Sequence, residues 1–337
     1  MAPKMKKKSK KILITGAAGF IGYFLIERLL RETTDRIVAV DNFQRGKYDG
    51  AFKAILTNSR VTFLKLDLTS PASYAKLGAG YEHVYHLAAI NGTKNFYEMP
   101  DEVLRINTLT TVYILEWMKA KNKKGKILFT SSNEAYAGGL NAFGKLPIPT
   151  PEAVPLVVED VYNPRWTYAG TKLIGEQFFI QYAQKNNFRA VIVRPHNFYG
   201  PRAGYDHVIP EFIVRISKRA DPFPIFGADD TRTFCYITDA VEAMHMVMES
   251  SRTDKGVETF HIGNTDEILM RDLAGKLFDV AGWRPKKTDV HASPKGSVKR
   301  RLANISKIKK VIGWKPTTTL REGLAKTYEW YIANPKK

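Results

Sequence analysis

Tyr168 and Lys172 stand four residues apart in Tyr168-Ala169-Gly170-Thr171-Lys172. On a helix, positions i and i+4 share a face, which brings the ammonium beside the phenol. A neighbouring positive charge favours the phenolate and lowers a pKa that starts near ~10. A phenol tuned this way can take a proton from a hydroxyl while hydride leaves the carbon that bears it. Many surface helices contain Tyr-x-x-x-Lys, so the spacing needs a companion. Ser131-Ser132 supplies one at the end of an earlier apolar run. The Ser132 hydroxyl can hydrogen-bond the reacting oxygen and hand the proton on.

Hydride needs an acceptor, and a second motif offers a place for one. Thr15-Gly16-Ala17-Ala18-Gly19-Phe20-Ile21-Gly22 follows the apolar run Lys11-Ile12-Leu13-Ile14. The spacing is G-x-x-G-x-x-G, not the more familiar G-x-G-x-x-G. Glycines allow a tight turn and a close approach to a ligand. A helix starting at Ile21 then points free N–H groups and its positive dipole end at a pyrophosphate. A bound nicotinamide cation would pull the phenol pKa down further. Asp41 ends the next strand, where a carboxylate can accept from adenosine ribose hydroxyls and repel a 2′-phosphate. NAD is therefore expected over NADP, although Arg45 and Lys47 lie close by. Asp67-Leu68 ends another strand and could meet the adenine. Small Ala88-Ala89 permits the dinucleotide to lie against the chain.

These residues need a scaffold that presents strand ends together. Apolar strands are expected over 36–40, 61–66, 83–87, 126–130 and 190–194, with helices between them, notably Val103 to Lys119 and Tyr168 to Lys185. Repeated βα units predict an α/β fold, a Rossmann-type doubly wound parallel sheet. Ligands of such sheets bind beyond the carboxyl ends of strands, where the candidate residues fall. Past Pro195 the chain turns proline-rich, then gives helices from Val208 and Thr238, a strand over Val257–Ile262 and three helical stretches after Met270. We read a flexible basic tail over 1–10, a NAD-binding domain over 11–200 plus 237–263, and a smaller C-terminal substrate-binding lobe over 201–236 plus 264–337.

Bulk properties narrow the class. The chain has 337 residues, 44% of them hydrophobic, so it can bury a large core. No apolar run approaches the ~18 residues of a membrane span, and no signal peptide is visible. One cysteine, Cys235, leaves no disulfide framework and no cysteine metal cluster; it reads as a small core residue in a strand. No metal set is proposed. A cytoplasmic location and no membrane partner follow by default. The formal charge of +19 is fed by Lys4, Lys6, Lys7, Lys8, Lys10 and Lys11. It suits an anionic small molecule; without zinc-finger spacing or an aromatic RNA-binding signature, nucleic acid is not expected.

The glycine motif, Ser132 and Tyr168-x-x-x-Lys172 together resemble the extended short-chain dehydrogenase/reductase family, and the resemblance covers nearly the whole chain. Its members modify nucleotide-activated sugars as 4-epimerases, 4,6-dehydratases and UDP-glucuronate decarboxylases. The resemblance implies NAD held by Gly16, Gly19, Phe20, Ile21, Gly22, Asp41, Asn42, Asp67, Leu68, Leu87, Ala88, Ala89, Asn107, Tyr168, Lys172 and Pro195. On the sugar-nucleotide side it implies Asn91, Ser132 and Asn133. Asn197, within Arg194-Pro195-His196-Asn197-Phe198-Tyr199-Gly200-Pro201-Arg202, would hold the diphosphate. Arg232 in Thr231-Arg232-Thr233-Phe234 would join it, and Arg301 in Lys299-Arg300-Arg301-Leu302-Ala303-Asn304-Ile305 matches a C-terminal substrate arginine. The family usually has Pro-Asp where this chain has Ala303-Asn304. His196 replaces a more usual aromatic. The helices from Val103 and Tyr168 would form a homodimer.

Glu134 separates the subclasses. Plain 4-epimerases of this family usually lack an acid there; dehydratases and decarboxylases usually have one. Once C4 is a ketone, the C5 proton or substituent becomes labile, and a carboxylate near C5 can remove or orient it. Glucose-type dehydratases often show Asp-Glu, whereas this chain has Asn133-Glu134, and Asn cannot protonate a departing C6 hydroxyl. Asn163-Pro164-Arg165-Trp166 resembles a stretch of bacterial UDP-glucuronate decarboxylases. The expectation is a UDP-sugar decarboxylase/epimerase with Ser132, Glu134, Tyr168 and Lys172 as its catalytic set. A 4,6-dehydratase and a plain 4-epimerase are the alternatives. A non-catalytic dinucleotide-sensing or nucleic-acid-binding protein on the same fold is a further one, though a sensor needs no proton relay.

Overall fold

The computed structural model describes residues 9–293 and 297–336. Most of the expected basic tail, residues 1–8, lies outside the described residues. Lys10, at the end of that expected tail, is described: its N–H donates to Asp35 at 2.8 Å and its ammonium pairs with Glu249.

Seven parallel strands form the central sheet, in the order Val257–Ile262, Arg189–Pro195, Lys126–Thr130, His83–His86, Lys11–Thr15, Arg36–Asp41 and Val61–Lys65. The expected α/β doubly wound sheet is present. Asp41 lies inside its strand, and Leu66 and Leu87 lie just beyond theirs. The first strand shows why these runs are apolar throughout. Ile12 and Ile14 enter one core and Leu13 the other, so both faces are dry. Winding reverses between Lys11–Thr15 and its neighbour His83–His86, which opens a crevice at the carboxyl ends.

Helix Phe20–Glu32 packs on helix Ile237–Glu249 across one face. Helices Pro100–Lys121 and Thr167–Asn186 pack together on the other. Both helices of that second pair run longer than their apolar patterns indicate. Helix Thr167–Asn186 comes unusually close to the sheet. Phe129 stacks on Phe179 at 4.5 Å, and a Cβ at Gly175 would stand 2.6 Å from the Phe129 ring. The glycine thus sets the height of Tyr168 and Lys172 above the strand ends.

Beyond the sheet, Phe223–Phe226 pairs with Thr288–His291 and Thr231–Thr233 with Glu267–Leu269. Helix Met270–Ala281 packs on both pairs, and helices Val208–Ser217 and Leu320–Ala333 pack on that helix. Cys235 is fully buried in the short strand Cys235–Tyr236.

Gly175→Ala would gain about 1 kcal/mol of helix propensity. The buried Phe129 ring cannot yield to the new methyl, and overpacking costs about 1–3 kcal/mol. Thermal melts should therefore show a lower Tm for the alanine variant; a higher one would mean the helix has room to rise.

Candidate active site

The glycine turn sits in the crevice because its backbone is tied to three strands. Ala17 N–H donates to the Val40 carbonyl at 3.1 Å. The Thr15 hydroxyl accepts from Leu87 and Ala88 N–H at 3.2 and 3.3 Å and meets His86 Nδ1 at 3.0 Å. Gly16 has φ +70°, and a Cβ there would stand 2.8 Å from Ala88 N, so both backbone conformation and space demand glycine. Helix Phe20–Glu32 starts at once, with no acidic residue in its first turn to compete for an anion.

A cleft opens from this turn. Gly16, Gly19, Asp41, Asn42, Asp67, Leu68, Leu87, Ala88 and Ala89 all line it. Phe20, Ile21, Gly22, Asn107 and Pro195 do not. A bare glycine floor, alanines on one wall and a carboxylate at each of two strand ends fit a flat dinucleotide. The Asp41 carboxylate also builds the site: it accepts from Ala18 N–H at 3.0 Å and Phe43 N–H at 2.7 Å. Burial pushes its pKa up against these N–H groups. Asn107 is buried on helix Pro100–Lys121 and engages the backbone beside the cleft. Its side chain accepts from Ile90 N–H at 2.7 Å and donates to the Ile90 carbonyl at 3.0 Å. Its amide is spent on shaping the segment after Ala89.

The chemical residues converge at the mouth of this cleft. The Tyr168 ring stacks on Phe96 at 5.2 Å. The phenol is raised above its ordinary pKa by burial first and then by Glu134; Arg45 and a hydrogen bond with Ser132 act the other way. Lys172 donates to the Thr130 carbonyl at 2.8 Å, with its ammonium 5.3 Å from the Tyr168 ring centre. Burial pulls Lys172 down to about 7, opposed by Glu176. The expected simple lowering of the phenol by the ammonium is therefore not what these side chains produce by themselves. Desolvation outweighs attraction.

Glu134 backbone N–H donates to the Ser132 hydroxyl at 3.1 Å, which fixes the serine side chain against the start of the Glu134 segment. The Glu134 carboxylate is bound by Arg301 and, at 3.3 Å, by Arg165. Burial acts to raise Glu134, but Arg301 and Arg165, with Arg232 farther off, hold it below the usual carboxylate value. Arg232 donates to the Thr231 and Lys299 carbonyls at 2.8 and 3.1 Å, and burial and Arg301 pull it down to about 10. Asn197 has φ +43° and donates to the Thr233 carbonyl at 2.8 Å, beside Arg232. Asn133 Nδ2 is buried without a partner among the described residues. His196 accepts from or donates to the Tyr136 hydroxyl at 2.7 Å, and burial drops it to about 3.

The carboxyl-end crevice, its glycine turn and the Ser-Tyr-Lys cluster can be compared with known proteins. Residues 12–263 match the NAD dependent epimerase/dehydratase family. The chain belongs to that family. It is 30% identical to UDP-N-acetyl-alpha-D-glucosaminuronate decarboxylase of Bacillus cytotoxicus, over 96% of this chain and 98% of the relative. It is 28% identical to dTDP-glucose 4,6-dehydratase of Salmonella typhimurium, over 96% and 93%. Among solved structures it resembles a UDP-glucuronic acid 4-epimerase from Bacillus cereus in complex with UDP-glucuronic acid and NAD. That match has TM-score 0.82 and 28% identity, and covers 96% of this chain and 99% of the other. This epimerase/dehydratase-family chain is an NAD-dependent enzyme, which sets aside a non-catalytic sensor on the same fold.

Three partners were not singled out from the sequence for the places they hold. Arg45 reaches Asn91 across the cleft, Arg165 joins Arg301 on Glu134, and Glu176 pairs with Arg194 behind Lys172. Glu176 continues the Tyr168, Lys172 spacing by four, and that periodicity was its available signal.

Lys172 titrates in the fold near 7 and in an unfolded chain near ~10.4. Between those values the unfolded chain binds the extra proton, so this group makes stability rise with pH. In dinucleotide-free protein, Lys172→Met should gain most over the wild type at about pH 6, and the gain should shrink toward pH 10. Urea unfolding across that range checks it; a constant gap would show that Lys172 stays charged.

Proposed function

We propose that this enzyme acts on a UDP-linked hexuronate through a 4-keto intermediate, as a decarboxylase/epimerase, a lyase in its overall reaction. The observation that carries this reading is the Glu134 carboxylate, held ionised by Arg301 and Arg165 beside Ser132 and the Tyr168 phenol. An ionised carboxylate can orient or accept a proton; it cannot donate one. Asn133 next to it has no proton to give a departing C6 hydroxyl, which argues against dehydration. Arginine forks at the same place suit a C5 carboxylate, which they can grip in two parallel hydrogen bonds.

In this reading Tyr168 takes the C4 hydroxyl proton and Ser132 holds the C4 oxygen. NAD, when bound, supplies hydride acceptance. Lys172 positions the phenol and the ribose, and Glu134 with Arg301 orients the C5 carboxylate for loss as carbon dioxide. Asn197 and Arg232, joined through Thr233 and Thr231, take the diphosphate. Gly16, Gly19, Asp41, Asn42, Asp67, Leu68, Leu87, Ala88 and Ala89 form the NAD cleft, with Phe20, Ile21, Gly22, Asn107 and Pro195 supporting it. Asn91 and Asn133 face the sugar side. The reading keeps the division into a NAD-binding domain and a C-terminal lobe. It also includes a homodimer through helices Pro100–Lys121 and Thr167–Asn186, whose Leu104 and Ile174 are exposed. Cytoplasmic action accords with the free Cys235.

Purified protein incubated with UDP-glucuronate, UDP-N-acetylglucosaminuronate, UDP-glucose and dTDP-glucose should release carbon dioxide from a uronate only. Mass and NMR analysis of the products checks this. A product differing from substrate only at C4 would make the protein a 4-epimerase.

Two variants divide the steps. Tyr168→Phe keeps the ring and its stack on Phe96, so substrate binding should survive while turnover drops ~10²–10⁴-fold. Glu134→Gln keeps shape and removes charge, so a 4-keto sugar should accumulate without loss of carbon dioxide. Unchanged product formation by Glu134→Gln would make Glu134 structural and overturn the reading.

A further inference from the structure

The cleft assigned to the dinucleotide has an uneven charge lining. Among its lining residues Asp41 and Asp67 are anionic, and Arg45 alone is cationic. A dinucleotide brings two negative charges on its diphosphate. The glycine turn meets them with N–H groups and a helix end, which carry only partial charge. A full compensating charge must come from a side chain or a counter-ion, and Arg45 is the side chain in place.

Arg45 is held there on both sides. Its loop leaves the strand end at Asp41, which accepts from Phe43 N–H at 2.7 Å. Lys47 N–H donates to the Ala18 carbonyl at 3.1 Å, which folds the loop back onto the glycine turn. Gly46 lies against the Asp41 carboxylate, where a Cβ would stand 2.9 Å from both oxygens. The guanidinium spans the cleft and donates through Nη1 to the carbonyl and side-chain oxygens of Asn91. Among the described residues its Nε and Nη2 make no hydrogen bond. An arginine anchored by one nitrogen, with the rest of its fork open, is prepared for a bidentate oxyanion.

We propose that Arg45 clamps the diphosphate of the bound dinucleotide, with Asn91 steadying the guanidinium across the cleft. The assignment rests on the cleft being the NAD site, as proposed above. It makes Arg45 a cofactor-binding residue. The residue that obscured the choice of NAD over NADP thus serves the phosphates common to both.

Calorimetric titration of dinucleotide-free protein with NAD, NADP, ADP-ribose and UDP tests this, with adenosine followed by ligand-detected NMR. Arg45→Gln should weaken NAD and ADP-ribose about 10–100-fold, the size of a charge-assisted hydrogen bond. Adenosine should change less than twofold, and the salt dependence of NAD binding should flatten. Arg45→Lys should recover part of the loss. Equal weakening of adenosine would make Arg45 a loop tether, and a loss confined to UDP or to NADP would send the guanidinium to the substrate or to a 2′-phosphate. Each of these overturns the assignment, as does unchanged NAD affinity. Asp41→Ala separates the two levels. If it leaves NAD affinity untouched, the cleft itself is misread; if it weakens NAD while Arg45→Gln does not, only Arg45 is.

Discussion

Glu176 and Arg194 face each other through two parallel hydrogen bonds of 2.8 Å, with both side chains almost wholly out of solvent. The Ser131 hydroxyl donates to the same carboxylate, and Arg194 Nη1 donates to the Glu152 carbonyl at 2.8 Å. Four segments meet at this point. Glu176 stands on the helix face that carries Tyr168 and Lys172. Ser131 adjoins Ser132, and Arg194 leads into Pro195, His196 and Asn197. A buried pair of this kind adds little net stability, because desolvating two charges offsets most of their attraction. Its contribution is geometric. Separating the helix from either strand end would leave a charge unpaired in the interior, at about 3–5 kcal/mol. The phenol, the serine and the sugar-side segment are therefore locked to one another before any ligand arrives.

Rigid placement has an electrostatic cost that the chemistry then uses. The same burial that fixes Tyr168 raises its phenol, and the same burial that fixes Lys172 lowers its ammonium. Each shift disfavours the charged form. Glu134 stays ionised in this setting, because two guanidiniums contact it. The site thus begins with a protonated phenol beside a stabilised carboxylate. Every added positive charge near the phenol moves it toward reactivity. Arg45 already does so from the cleft side, where it acts against burial on Tyr168.

Local chemistry is what the bare sequence displayed best. The glycine turn, Tyr168-x-x-x-Lys172 and the strand-helix alternation are short-range patterns with fixed periods. Turn geometry and helix faces follow from them without knowledge of the fold. Glu134 with Arg301, 167 positions apart, has no period to betray it. In a chain of charge +19, an arginine is an unremarkable residue until the fold brings it to a carboxylate. Asn107 shows the converse. The family resemblance names it for the dinucleotide, and only the fold shows that its amide fills both hydrogen-bond roles of the Ile90 backbone.

In the proposed reading, Glu134 and Asn133 constrain which bond at C5 or C6 breaks. Expelling a C6 hydroxyl needs a proton donor close to that oxygen. An asparagine cannot supply it, and a carboxylate bound by Arg301 and Arg165 resists taking up a proton to pass on. Losing a C5 carboxylate asks for less. The electron pair left behind flows into the C4 carbonyl, so the carbon dioxide needs no proton as it departs; the enolate then takes one proton at C5 from water. What the protein must do is aim the C5–C6 bond out of the ring plane and hold the C4 oxygen. Arginines set around Glu134 can aim a carboxylate, and Ser132 with Tyr168 can hold the oxygen. A plain epimerase needs neither an ionised carboxylate nor a buried arginine pair at this place. Keeping Glu134 charged in a dry pocket is costly, and that cost is intelligible where a second anion must be turned to face the ketone.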